Sequence, residues 1–169
     1  MTIPAPRALN FLGFALCAAM MAYALFVEHV LLLMPCPLCV FQRMAVISLG
    51  LVFLVSAVHN PGSLGRKIYT LFIVLAAGAG IAVAGRHAWL QIMPEDQVPA
   101  CGPGFDYIID SFPFSEALAL IFTGSGECAD IDWIFLGLSM PAWVLICFII
   151  IGTAGVWNNV RKDSPAPVA

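Results

Sequence analysis

Residues 34–58 read MPCPLCVFQRMAVISLGLVFLVSAV, and they join a C-x-x-C motif directly to a long apolar run. From residue 44 to residue 58 the run carries no charged side chain. A helix needs about 20 apolar residues, with a range of about 17–25, to cross a bilayer. Because no water in the bilayer core can satisfy backbone polar groups, such a run is expected to be helical. We therefore predict a membrane-spanning helix over residues 40–58, with a dithiol at its outer end.

The composition of the whole chain is that of a membrane protein. Of its 169 residues, 62% are hydrophobic and only 10% are charged, against about 25% in soluble domains, and the mean hydropathy is +0.97. Three further apolar stretches, 11–33, 68–84 and 141–157, are long enough to span a bilayer. The sequence predicts one all-α domain over residues 1–169, a bundle of four transmembrane helices joined by loops that include residues 34–39 and a long segment, 91–140.

Basic residues give the orientation of the predicted helices. The long segment 91–140 contains no lysine or arginine, and such residues are concentrated on the cytoplasmic side of membrane proteins. Five of the seven basic residues flank the other ends of the helices: Arg7, Arg66, Lys67, Arg161 and Lys162. We expect both termini to be cytoplasmic, and residues 34–39 and 91–140 to share the outer side. In a bacterium this means the inner membrane, with those loops in the periplasm.

The six cysteines divide into two groups by this topology. Cys17 and Cys147 fall inside predicted helices, where a cysteine is usually a small buried apolar side chain. The other four fall on the outer side, where disulfides persist: Cys36, Cys39, Cys101 and Cys128. Four cysteines allow three pairings, and the sequence does not choose among them. The simplest pairing is Cys36 with Cys39 and Cys101 with Cys128.

The outer cysteines have two non-redox interpretations. Structural disulfides are one, but a C-x-x-C bridge closes so short a loop that it stabilises little, whereas this spacing is common in thiol–disulfide exchange. A zinc site with four thiolates is the other. Cys101 and Cys128 lie 27 positions apart rather than as a second close pair, and an oxidising compartment disfavours four free thiolates. We predict redox-active cysteines and no tightly bound metal.

Arg43 follows Cys39 by four residues, so the two share one helix face. A cysteine near a helix N-terminus has its thiolate favoured by the helix dipole. The alternative role of Arg43 is a snorkelling anchor in the lipid head groups. In the functional interpretation, a thiolate at the membrane edge passes electrons to a lipid-soluble acceptor such as a quinone. Arg43 would then donate hydrogen bonds to the charge that develops on the acceptor's oxygens.

Two motifs carry a resemblance to a known family. They are PCPLCVFQR at 35–43 and GSGECADIDWIFLGLSMPAW at 124–143, with Cys101 in a Pro/Gly-rich acidic loop between them. With four predicted helices around them, these motifs resemble the DsbB family, the quinone-dependent disulfide-generating membrane proteins of bacteria. The resemblance covers nearly the whole chain, whereas C-x-x-C alone would be weak support.

The resemblance implies a role for each outer cysteine. Cys101 and Cys128 would form a disulfide that takes electrons from a reduced, periplasmic DsbA-like thiol oxidase, with Cys101 as the sulfur attacked. Cys36 would then exchange with Cys128 and so carry electrons to the C-x-x-C pair. Cys39 would be the thiolate that contacts the quinone.

The resemblance also implies a quinone site at the membrane edge. Its quinone, ubiquinone or menaquinone, would come from the membrane pool, with Arg43 beside it and His87 close by. From the residues alone, His87 is equally an interfacial histidine with no site role, and Arg86 is a head-group anchor.

The rest of the long outer segment predicts one more element. In DSFPFSEALALIF, residues 110–122, apolar side chains recur on a helical period after Ser115, a suitable N-cap. We predict a short helix lying on the membrane surface. No phosphate loop, nucleic-acid patch or acid/base pair of carboxylates is recognisable, so we expect the partners to be the bilayer, a quinone and a thiol protein.

Overall fold

In the computed structural model, four long helices form an up-and-down bundle: α1, Pro6–His29; α2, Pro37–His59; α3, Ser63–Leu90; and α4, Met140–Val160. Between α3 and α4 lie a 3-10 turn, Gly126–Cys128, and a two-stranded antiparallel hairpin of β1, Ile134–Phe135, and β2, Leu138–Ser139. The structure describes residues 5–94, 107, 110–113, 115–116, 119, 126–131 and 133–161.

All four helices are long and apolar enough to cross a membrane. They contain between 21 and 28 residues, and the most apolar window of each has a mean hydropathy between 1.9 and 2.2. The predicted fold class, an all-α membrane bundle of four spanning helices, is confirmed. The chain is therefore a multi-pass membrane protein.

The turn between α1 and α2 differs from the predicted boundaries. α1 ends at His29 rather than at residue 33, because Leu32 has a positive φ of 55° and Pro35 follows it closely. α2 begins at Pro37 rather than at residue 40, since proline suits the first turn of a helix, where its missing N–H is not needed. Cys39 thus lies in the first turn of α2 and not in the preceding loop.

α3 is much longer than the predicted stretch 68–84. It begins at Ser63 and ends at Leu90, so that Arg66, Lys67, Arg86 and His87 all lie within the helix. A search for apolar stretches ends where charged or polar side chains begin. Long basic side chains near a helix end can nevertheless reach water while their residues remain helical. α4, Met140–Val160, extends the predicted stretch 141–157 by one residue at its start and three at its end.

Each helix packs against the next one along the chain, and α4 packs mainly against α3. At the end of the bundle opposite the cysteines, a buried polar cluster ties α1, α2 and α4 together. Asn10 donates to Ser56 Oγ at 2.9 Å, and Asn158 donates to Asn10 Oδ1 at 3.0 Å. Each such hydrogen bond stabilises the packing of membrane helices by about 0.6 kcal/mol on average. This end also holds the basic residues Arg7 and Arg66 near the starts of α1 and α3.

Two aromatic rings pack into glycine positions in the bundle core. Phe53 of α2 lies against Gly155 of α4, where an added Cβ would come within 2.6 Å of its ring. Phe148 of α4 lies against Gly80 of α3, where an added Cβ would overlap the ring. These rings are 1% exposed, so the glycines set how closely the helices approach.

Gly80→Ala is expected to destabilise the bundle by about 1–3 kcal/mol, because the new methyl group overpacks a well-filled core. The measurement is the thermal unfolding midpoint of the purified protein in detergent. Gly78→Ala is the matched control, since a Cβ at Gly78 meets nothing within 4 Å. Equal midpoints for the two variants would contradict the close packing of Phe148 on Gly80.

The predicted surface helix lies mostly outside the described residues. Ser115, Glu116 and Ala119 are helical, in agreement with a helix after Ser115. Nearer α4, the hairpin is held to the bundle by Trp143, whose indole N–H donates to the carbonyl of Phe135 at 2.9 Å. Trp133 stacks on the ring of Phe135, with centroids 5.9 Å apart. The hairpin therefore fixes the entry of the chain into α4.

Candidate redox site

The C-x-x-C motif lies at the N-terminus of α2. Cys36 is the residue that precedes the helix, and Cys39 is in its first turn. Both are thiols in the structure, and Cys36 donates a hydrogen bond to Cys39 with 3.2 Å between the sulfur atoms. Unpaired backbone N–H groups at a helix N-terminus favour negative charge, and hence a thiolate, at this position. The motif therefore presents an activated dithiol at one end of the bundle.

His87 reaches the dithiol from the last turn of α3. Its Nε2 lies 3.7 Å from Cys36 Sγ, and its Nδ1 lies 4.0 Å from Cys39 Sγ. On the Nδ1 side, the side-chain amide of Gln42 is hydrogen-bonded to the ring at 2.9 Å. His87 is 3% exposed, so it is a buried neighbour of both sulfurs and not a polar residue at the membrane surface.

Cys128 comes to the same place from the 3-10 turn Gly126–Cys128. It is fully buried, in an apolar cluster with Leu38, Val83 and Leu90. Its sulfur is hydrogen-bonded to Cys36, and the ligand atoms of Cys36, His87 and Cys128 all lie within 4.8 Å of one another. We call Cys36, Cys39, His87 and Cys128 the Cys–His cluster. Cys101, the fourth predicted redox cysteine, lies outside the described residues.

The surroundings of Cys36 favour its protonated form. Hydrogen bonds with Cys128 and with Cys39, together with burial, raise the pKa of the Cys36 thiol above its ordinary value. A raised pKa lowers the thiolate fraction at a given pH, so exchange that begins from Cys36 is expected to accelerate as the pH rises. The thiol of Cys36 therefore tends to keep its proton while it contacts the sulfurs of Cys39 and Cys128.

Arg43 points toward α1. Its guanidinium forms an ion pair with Glu28 and donates to the backbone carbonyl of Ala24 at 3.4 Å. Both charged side chains are about a quarter exposed, 21% and 27%. The sequence places Arg43 on the helix face of Cys39, and both residues line one cavity, but the contacts that orient the guanidinium come from α1.

That cavity lies between α1, α2 and α4, next to the Cys–His cluster, and has a volume of about 240 Å³. We call it the outer cavity. Its walls are mainly apolar or aromatic, and include Met20, Met21, Val27, Val46, Trp133 and Val144. Its polar lining includes Cys36, Cys39, Gln42, Arg43 and His87. An apolar chamber with a few convergent polar groups at one place is the usual form of a small-molecule site.

Two residues of the site were not identified in the sequence analysis. Gln42 orients His87, and Glu28 orients Arg43. Glu28 had a partial signal, because residues equally far from the turn lie at the same level of an antiparallel helix pair, whereas the rotation of the helices decides whether they face each other. Glu28 and Arg43 are equally far from the turn at Pro35 and Cys36. Gln42 had no such signal, because its partner is on α3.

Comparison with known proteins identifies the family. The model of the family described as "Disulfide bond formation protein DsbB" matches residues 6–158. The chain belongs to the DsbB family. It is 52% identical to "Disulfide bond formation protein B" of Nitrosococcus oceani, over 92% of each chain. It is 46% identical to the proteins of that name from Methylococcus capsulatus and Saccharophagus degradans, covering 95% of this chain and 100% and 96% of theirs.

Membership in the DsbB family agrees with the chemistry of the site. A disulfide-forming oxidoreductase needs cysteines that exchange with one another, and the structure places Cys36, Cys39 and Cys128 together at one end of a membrane bundle. This DsbB-family protein is therefore a multi-pass membrane oxidoreductase of disulfide bond formation.

Proposed function

We propose that this protein reoxidises a periplasmic DsbA-like dithiol protein and passes the electrons through two cysteine pairs to a membrane quinone. The observation that carries the proposal is the position of Cys36. Its sulfur contacts Cys39 on one side and Cys128 on the other, so it can exchange with either. A sulfur in contact with both can carry electrons from the outer cysteine pair to the C-x-x-C pair.

The first half of the reaction is thiol–disulfide exchange, in which each step breaks one S–S bond and forms another. A thiolate of the partner attacks Cys101 in the Cys101–Cys128 disulfide and releases the Cys128 thiolate. The partner's second thiol then displaces Cys101, and the partner leaves oxidised. Cys101 and Cys128, now a dithiol, are reoxidised by exchange with the Cys36–Cys39 disulfide through a Cys36–Cys128 bond. The net result is one partner disulfide and a reduced C-x-x-C pair.

The second half returns the C-x-x-C pair to its disulfide. Cys36 and Cys39 lose two electrons and two protons, and a bound quinone accepts them and leaves as quinol. The outer cavity suits a quinone head group because its apolar walls adjoin Cys39 and the polar side chains of Arg43 and His87. Arg43 would bind a quinone oxygen, and His87, next to both sulfurs, would hold or accept a thiol proton.

The distribution of basic residues supports an inner-membrane location with the cysteines in the periplasm. Arg7, Arg66 and Arg161 lie at the end of the bundle opposite the Cys–His cluster, near the starts of α1 and α3 and the end of α4. Basic residues are retained on the cytoplasmic side. In this orientation both termini are cytoplasmic, and the C-x-x-C motif faces the oxidising compartment.

The proposal is tested by following both products in one anaerobic reaction. The purified protein is mixed with a reduced DsbA-like protein and a soluble ubiquinone or menaquinone analogue. Quinone loss is read by absorbance and partner thiols by a thiol reagent. We expect one quinone to be reduced for every two partner thiols lost, over many turnovers.

Controls without the membrane protein or without the thiol partner should show only background. Partner oxidation without quinone loss would contradict the quinone as acceptor. Quinone loss with any small thiol, at the rate seen with the DsbA-like protein, would contradict the proposed partner.

A further inference from the structure

The Cys–His cluster has the composition of a soft-metal site as well as that of an exchange site. Three ligand atoms from separate parts of the chain converge: Cys36 before α2, His87 at the end of α3, and Cys128 in the 3-10 turn. Thiolate sulfur and imidazole nitrogen are the ligands that zinc prefers. The cluster lies in apolar surroundings, with Cys128 and Leu90 fully buried and His87 only 3% exposed.

The spacing of these atoms fits a small tetrahedral ion. Zn–S bonds of about 2.3 Å and Zn–N bonds of about 2.0–2.1 Å place neighbouring ligand atoms about 3.5–3.8 Å apart. Cys36 Sγ and His87 Nε2 are 3.7 Å apart, and the ligand atoms of Cys36, His87 and Cys128 all lie within 4.8 Å of one another. An ion could therefore be bound after side-chain shifts of no more than about an ångström. Cys39, whose sulfur lies 3.2 Å from that of Cys36, is not one of these three converging ligands.

The orientation of His87 also suits metal binding. Nε2 faces the sulfur of Cys36, whereas Nδ1 is hydrogen-bonded to the amide of Gln42. Rotating that amide by 180° presents its oxygen to an Nδ1–H group, which leaves the Nε2 lone pair available as a ligand. Histidines that bind metals nearly always donate their second N–H in this way, and the partner fixes the ring.

We propose that the reduced form of this protein binds one soft divalent cation, with Zn²⁺ as the type case, through Cys36, His87 and Cys128, and that this ion arrests the redox cycle. Binding oxidises nothing, since each ligating thiol releases one proton as its sulfur bonds to the metal. A disulfide sulfur is a poor ligand in comparison with a thiolate, so the oxidised form does not bind the ion. The sequence predicts no tightly bound metal, and this proposal departs from that prediction for the reduced form, in which the ion would act as an inhibitor.

The ion would stop the redox cycle because of the two sulfurs that it binds. Cys36 and Cys128 are the pair that must exchange for electrons to move inward, and a sulfur held by zinc is a weakened nucleophile. The inhibitory part of the inference rests on the proposed function. The binding part does not, because it requires only reduced cysteines and can be measured without quinone or partner.

The binding test uses the full-length protein in detergent, reduced under anaerobic conditions and freed of reductant. Zn²⁺ is titrated in competition with a chromophoric chelator, and Co²⁺ is titrated separately as a spectroscopic probe. We expect one equivalent to bind the reduced protein and none to bind the oxidised protein. The cobalt form should show sulfur-to-metal charge-transfer bands and the intense visible bands of tetrahedral cobalt. Equal binding by both forms, or a weak octahedral cobalt spectrum, would overturn the proposal.

Three variants assign the ligands. Cys128→Ser and His87→Gln each remove a ligand and should weaken Zn²⁺ binding at least about tenfold. Gln42→Leu removes the hydrogen bond to His87 Nδ1 and should weaken binding about 10–100-fold. Cys17→Ala is the matched control, since it removes a thiol of α1 that is buried elsewhere in the bundle. Binding that is lost in Cys17→Ala, or unchanged in Cys128→Ser, would place the ion elsewhere and reject the site.

The inhibitory part is tested separately, in the quinone reduction assay with the reduced DsbA-like protein. Zn²⁺ added to the reduced protein before quinone should slow turnover, and a chelator should restore the rate. Zinc binding without inhibition would reject the arrest but keep the site. No turnover before zinc is added would instead contradict the proposed function, and the binding titration would still decide the metal site.

Discussion

Cys39→Ser is expected to reduce quinone turnover to the uncatalysed background. The hydroxyl of serine cannot form or break a disulfide, so the C-x-x-C pair loses the bond that stores two electrons. Of the described cysteines in contact with Cys36, which are Cys39 and Cys128, only Cys39 also lines the outer cavity, so Cys39 is the one placed to pass electrons to a molecule bound there. The measurement is the loss of quinone absorbance with excess reduced DsbA-like protein.

A single-turnover experiment with this variant separates oxidation of the thiol partner from reduction of the quinone. Cys39→Ser keeps Cys101 and Cys128, so it should still oxidise about one equivalent of partner dithiol when its outer disulfide is intact. Cys17→Ala is the control for loss of a thiol from the bundle, and it should turn over at the unmodified rate, since Cys17 is buried away from the cluster. Sustained turnover in Cys39→Ser would refute the order of electron transfer proposed here.

The sequence contains most of the information about the fold. A chain with this hydropathy must form helices in a bilayer, and the four apolar stretches alone identify the bundle. The helix ends are less predictable because local side chains decide them. α1 stops early at the positive φ of Leu32, and α3 continues past Arg86 and His87, which a search for apolar residues excludes.

The site is predictable only in part. The C-x-x-C motif and its neighbour Arg43 are local in sequence, so their spacing indicates redox chemistry at a helix N-terminus. The contact between Cys36 and Cys128 spans most of the chain, and only the family resemblance indicated it. The bonds of Gln42 to His87 and of Glu28 to Arg43 depend on how three helices are rotated about their axes. A weak hydrophobic periodicity leaves that rotation undetermined in helices that face lipid.

Arg43→Ala is expected to raise the apparent KM for quinone about 10–100-fold and to leave the KM for the thiol partner nearly unchanged. Hydrogen bonds from a charged group contribute about 1.5–3 kcal/mol, and each 1.4 kcal/mol is a factor of ten. Arg43 lines the outer cavity, whereas Cys101, the proposed point of partner attack, lies in the sequence between α3 and α4. The two KM values come from separate titrations of quinone and of reduced partner.

Two further variants decide what the guanidinium does. Arg43→Ala leaves Glu28 without its ion-pair partner, so the double variant Glu28→Gln with Arg43→Ala tests whether the unpaired carboxylate of Glu28 causes the effect. If Arg43 binds quinone directly, the double variant should keep the raised KM. Arg66→Ala is the control, because it removes an arginine from the opposite end of the bundle. An unchanged quinone KM in Arg43→Ala would show that Arg43 only anchors α2, since an anchor contributes to helix position and not to the binding of an electron acceptor.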